Sequence, residues 1–231
     1  ARNLTCCIDL SGTNQTQSAP AITPGGIVSA ASFTPGPLAP GSIASIFGSS
    51  LSQGTNPAPA FPLPTELGGT RVAIGGGNAP LFFASPGQVN LMLPYTLTPH
   101  TSHQLAVRRS GLFYIAEILA ADAQPGLFTV SPFGQGAFGQ GAIVHGTDQS
   151  VVVDASRPAA RGDVVVIFCE GLGAVDGPAT AGSQTPGSPL LRTTLPLRVA
   201  IGGIDAEVSF AGLAPFFSGL YQINVTIPQT V

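Results

Sequence analysis

Lysine and tryptophan are both missing from this chain, methionine occurs once, and only 8% of its 231 residues are charged. Each shortage removes a class of function. Gripping nucleic-acid phosphates takes clustered cations, but the eight arginines are scattered, the net charge is −3 and the sequence pI is near 5.4. Arg108-Arg109 is the one basic pair, and it reads as two solvated residues at a strand end. No nucleic-acid partner is expected. With no Trp and three Tyr, the aromatic platforms that usually hold sugars are scarce. No apolar run reaches the ~20 residues of a membrane span.

Catalytic signatures are equally thin. The chain lacks a G-x-S-x-G elbow and an Asp-rich calcium loop. Cys6, Cys7 and Cys169 have no metal-ligand spacing with His100, His103 and His145. Asp205 and Glu207 come nearest to a facing carboxylate pair, and they read as a solvated hairpin edge. Gly134 to Gly139 matches G-x-G-x-x-G, but a strand-like run rather than a helix follows it. Arg161-Gly162-Asp163 matches an adhesion tripeptide and reads as a turn opening a strand. No enzyme activity, cofactor or metal is expected.

What the chain does have is punctuation. Thirty Gly and 22 Pro leave little room for long helices, and the short apolar runs between them are rich in Val, Ile and Phe, as strands are. A lysine-free surface rich in Ser, Thr, Gln and Asn fits an extracellular or cell-surface protein. The first residue is Ala1 and the only methionine is Met92, so export with a cleaved signal peptide is expected. An odd cysteine count in a secreted chain leaves one thiol free or paired between chains. Cys6, Cys7 and Cys169 are the disulfide candidates, and Asn3, Asn14 and Asn224 sit in N-glycosylation patterns.

Duplication sets the expected architecture. Arg-Val-Ala-Ile-Gly-Gly occurs at 71–76 and again at 198–203. Gln88-Val89-Asn90-Leu91 mirrors Gln222-Ile223-Asn224-Val225, the run from Gly41 to Phe47 mirrors Gly162 to Phe168, and Phe83-Ala84 mirrors Phe210-Ala211. The blocks keep their order while the intervening loops change length. About 100 residues per copy, with short strands and regular turns, predicts an all-β protein of two tandem immunoglobulin-like β-sandwich domains. The expected limits are an N-terminal strand and linker at 1–21, a first domain at 22–131 and a second at 132–231.

The runs Gly25 to Phe33 and Leu38 to Ile43, together with Ser85 to Asn90, Arg161 to Val165, Gly171 to Gly173 and Phe210 to Pro215, resemble an uncharacterised domain family. That family is found at the C-terminus of large secreted proteins of soil acidobacteria. Each half is also remotely similar to the TIG/IPT group of immunoglobulin-like domains. The resemblance spans about residues 22–228 and implies a fold, but no activity and no catalytic residues.

The duplication does not account for residues 1–21. Leu4, Cys6, Ile8 and Leu10 alternate with polar or small neighbours, the period of a strand with one apolar face. A polar stretch from Ser11 to Pro20 follows and reads as a linker. A lone strand is not stable in water. It could pair with its own first domain, remain a disordered tail, or add to an edge or groove of the next subunit. The last option makes the chain an extracellular structural protein, a self-assembling pilus-like filament or surface subunit whose partners are copies of itself. The Lys–Asn isopeptide crosslink of many immunoglobulin-like pilins is impossible without lysine. The alternative is a cell-surface binding or adhesion module recognising a partner protein or glycan, with Phe216-Phe217 as its candidate contact.

Overall fold

In a computed structural model, residues 18–130 and 139–231 are described. They contain strands, turns and loops, and no helix among them is long and apolar enough to cross a membrane. All strand pairing within the sheets is antiparallel, as expected for a chain so dense in turns.

The first half is sandwich-like. One sheet is built from β1 (Ala21–Ser29), β2 (Ile43–Ser49), β7 (Gln88–Met92), β6 (Leu81–Ala84) and β3 (Asn56–Pro57), in that spatial order. The facing sheet runs β5 (Gly77–Asn78), β4 (Thr70–Ile74), β8 (Ser102–Arg109), β9 (Leu112–Leu119). Alternation drives their union: Ile46, Val89 and Leu91 from one sheet and Val72, Ile74, Leu105 and Val107 from the other bury their side chains in one core.

The second half repeats this plan in part. Its main sheet runs β10 (Gly126–Leu127), β14 (Val164–Glu170), β18 (Tyr221–Thr226), β17 (Val208–Leu213), with β13 (Ile143–His145) also paired to β14. Two short pairs complete it: β11 (Thr129–Val130) with β12 (Gln140–Gly141), and β15 (Val199–Ile201) with β16 (Ile204–Ala206). The chain joins this sheet at Gly126, where Gly126 and Leu127 pair with Glu170 and Cys169.

The sequence repeat is also a repeat of register. Ala44, Ser45 and Ile46 lie opposite Leu91, Asn90 and Val89, while Val165, Val166 and Ile167 lie opposite Val225, Asn224 and Ile223. Ile27, Val28 and Ser29 face Ile46, Ser45 and Ala44, just as Ile143, Val144 and His145 face Ile167, Val166 and Val165. Even the irregularity recurs, between Leu81 and Phe83 and between Val208 and Phe210. The two Gly-Gly turns match as well: Gly75 and Gly76 have φ of 58° and 87°, and Gly202 and Gly203 have 59° and 82°. Positive φ at both central residues is the tight hairpin turn whose twist suits the flanking strands, and glycine adopts it without a Cβ clash.

One buried acid joins the halves. The Glu170 carboxylate, at the end of β14, accepts from the Ser29 hydroxyl at 2.5 Å, the Ile43 N–H at 2.8 Å and the Ala31 N–H at 3.2 Å, all in the first half. Leu63 N–H donates to the Gly182 carbonyl at 2.7 Å, and Tyr95 of the first half packs against the second core.

Candidate functional site

The halves diverge after β7 and β18. In the first half the chain goes on into the β8–β9 hairpin, which lies along β4 and closes the core: Val72 pairs with Val107 and Ile74 with Leu105. Val72 and Val107 are 0% exposed, and Ile74 and Leu105 are 1% exposed. In the second half the chain leaves β18 at Thr226, five residues before Val231, and among the described residues no strand lies beside β15 other than β16. Val199 and Ile201, the same residues in the same hexapeptide, are only half-buried.

Where the first half has its hairpin, the described residues of the second half leave a trough. Leu197, Val199 and Ile201 form one wall, and Leu127, Ile143 and Val153 the other. Its floor is Val165, Ile167, Cys169 and Ile223, and its volume is about 500 Å³. Arg198 is the one charged side chain in the lining, and its guanidinium is bound to Asp205 at 2.6 Å. The trough offers an apolar lining and one strand edge that is unpaired among the described residues. That suits an extended peptide with alternating apolar side chains, and it holds no group poised for acid–base or nucleophilic chemistry.

Cys169 is a free thiol among the described residues, fully buried in the floor. Burial, and then the neighbouring Glu170 carboxylate, push its pKa up to about 12, which leaves it a thiol and a poor nucleophile at neutral pH. Leu4, Cys6, Ile8 and Leu10, with Cys7, Asn3 and Asn14, lie outside the described residues. So does most of the glycine-rich run from Gly134, since residues 131–138 are among those not described.

The remaining candidates do not converge. His100 Nε2 lies 2.7 Å from Asp122 Oδ2 at an exposed site, while His103 Nε2 meets the Thr98 carbonyl at 3.0 Å. Among the described residues no three His, Cys, Asp or Glu side chains gather as a metal site would require. Asp205 Oδ1 accepts from Arg198 Nε at 2.6 Å. Gly162, at φ 85°, and Asp163, whose Oδ2 accepts from Ala160 N–H at 2.8 Å, form the turn that opens β14. Asn224 sits mid-strand in β18, between β14 and β17, and its Oδ1 accepts from Gln222 Nε2 at 3.2 Å. Gln88 and Asn90 repeat that bond at 2.8 Å in the first half, so the Gln-x-Asn pattern is part of the sheet. Phe216 and Phe217 are 65% and 53% exposed, on a loop pinned to Thr185 by two backbone hydrogen bonds.

The trough itself has no sequence motif. Fold and site together define a β-rich, sandwich-like protein with one core closed and one open. No protein-family model matches the chain, and no curated protein matches it.

Proposed function

We propose that this chain is an extracellular structural protein of two tandem immunoglobulin-like sandwiches, without catalytic activity, that joins copies of itself by donating its N-terminal strand. The product is a pilus-like filament or surface layer. One observation carries this reading: the described residues of the second half leave an apolar trough where the first half holds a hairpin, and the sequence also has an alternating apolar run, Leu4 to Leu10, outside the duplicated blocks. An exposed apolar trough and a lone apolar strand would each be unfavourable in water, and each would supply what the other lacks. The polar, charge-poor composition, and the resemblance to secreted proteins, support placement outside the cell.

Electron microscopy of the purified chain should show fibres, and deleting residues 1–12 should abolish them. A monodisperse monomer of the intact chain would count decisively against assembly. The exposed Phe216-Phe217 pair favours a second reading, a binding module for a partner protein. Under it, the intact chain stays monomeric and replacing both Phe with Ser abolishes its attachment to the cell surface.

A further inference from the structure

The place where the chain enters its first half constrains where the N-terminal strand can go. The Ser18 carbonyl accepts from Arg109 Nη2 at 3.1 Å, Arg109 pairs with Thr70, and Ala21 pairs with Ser49. The other end of β1, Ser29, is the end bonded to Glu170 of the second half. Ser18 therefore lies at the end of the first half opposite the end bonded to Glu170. From Ser11 to Ser18 a fully stretched chain spans about 25 Å. The run of β2 from Ser49 back to Ile43 already covers about 20 Å, and the trough begins only beyond the junction. To fill the chain's own trough, the connector would have to lie straight along the whole first half with no slack. A neighbouring copy meets no such limit.

Resting on the assembly proposed above, we infer that the acceptor of the donated strand is the second-half trough of a neighbouring copy, with residues 3–11 pairing along the free edge of β15. Two of Leu4, Cys6, Ile8 and Leu10 then take the inward places that Leu105 and Val107 of β8 hold in the first half, and the others extend the same apolar face. The backbone partner is specified by the duplication. Val72 and Ile74 offer their edge to β8, and Val199 and Ile201 offer the same edge of the same hexapeptide to no described strand. The side chains fit by the same logic, because the walls and floor of the trough are aliphatic and Arg198 is already engaged. Thr5, Asp9 and Ser11 lie on the outward face of the donor. Donor and acceptor sit on different parts of the chain, so the contact is head-to-tail and leaves each added copy with a trough or a strand to spare.

Two full-length variants test the assignment. Ile8→Asp with Leu10→Asp spoils the donor face, and Ile201→Asp puts a charge into the trough at a half-buried position. Each variant alone should run as a single chain on a sizing column. Their mixture should give a one-to-one complex that grows no further, since one intact strand then meets one intact trough. Filaments from Ile201→Asp would overturn the acceptor site while leaving N-terminal donation standing. Filaments from the Ile8→Asp, Leu10→Asp chain would overturn donation itself. Amide exchange on the unmodified chain is independent of how the variants fold: the amides of 198–201 should exchange more slowly in assemblies than in single chains. Unchanged exchange there, or full protection already in the single chain, would overturn the inference.

Discussion

Glu170 sits where the two halves meet, 1% exposed, with three first-half hydrogen-bond donors aimed at its two oxygens. The donors nearly fill its acceptor capacity, and Ser29 Oγ in turn accepts from the Ala31 and Ser32 N–H groups at 3.2 Å each. Glu170→Gln keeps the shape but turns an NH2 group toward one of those donors. A buried donor facing a donor loses both bonds, so the variant should be less stable by about 1–3 kcal/mol near neutrality, read from urea unfolding. The pH dependence has a defined sign. Burial raises the Glu170 pKa above the ordinary glutamate value, with the bonds from Ser29, Ile43, Ala31 and Ala30 opposing that rise. A carboxyl whose folded pKa is raised contributes its stability in full below its unfolded pKa, about 4.3, and loses that contribution as pH climbs through the folded value. The gap between the unmodified protein and Glu170→Gln should therefore widen on acidification and narrow as pH rises. A gap that grows with pH would show that the hydrogen bonds outweigh burial.

At the scale of strands, the hexapeptide Arg-Val-Ala-Ile-Gly-Gly is an internal control, one sequence in two environments. Val72 is covered by β8 and fully buried, while Val199 borders the trough and is half-buried. Removing two methyls from a closed core costs transfer energy plus a cavity, whereas at an open wall solvent reaches the gap. Val72→Ala should cost about 1–2.5 kcal/mol, and Val199→Ala clearly less in single chains, with the two costs converging once assembly fills the trough. Equal costs in single chains would mean that the trough is already closed. This contrast also shows what the sequence could reveal. The all-β class and the repeat were legible because Gln88/Gln222, Phe83/Phe210 and the Gly-Gly pairs are the same side chains answering the same backbone demands, whereas strand order and register came only with the structure. The open trough was not legible, since Val199 and Ile201 look identical to Val72 and Ile74 and differ only in lacking a neighbour among the described residues. The place of Glu170 was hidden for a related reason: its partners are backbone amides and a serine more than a hundred residues away, and no local pattern signals such a contact.

For the whole molecule, the arrangement of ends decides what kind of object assembly produces. The halves follow one another in the same sense: the Glu170 end of β14 corresponds by register to the Ser49 end of β2, and Glu170 meets the opposite end of the first half at Ser29 and Ile43. The chain enters at the free Ser49 end, and the trough flanks β14 in the second half. Under the proposed assembly, donor and acceptor of one molecule could meet only with the connector almost fully stretched, and a self-complementary patch is not required. A two-fold contact would close at a dimer, whereas a donor–acceptor contact propagates. The two cases respond differently to a defective member. A chain carrying Ile8→Asp and Leu10→Asp still offers its trough, so it can join a growing filament at one end but gives the next trough nothing to bind. Adding it during growth should shorten filaments in proportion to its share of the mixture, and micrographs of filament length against that share give the readout. If assembly instead proceeded through closed, symmetric pairs stacked by other surfaces, the same addition would lower the amount of filament and leave the length of each one unchanged.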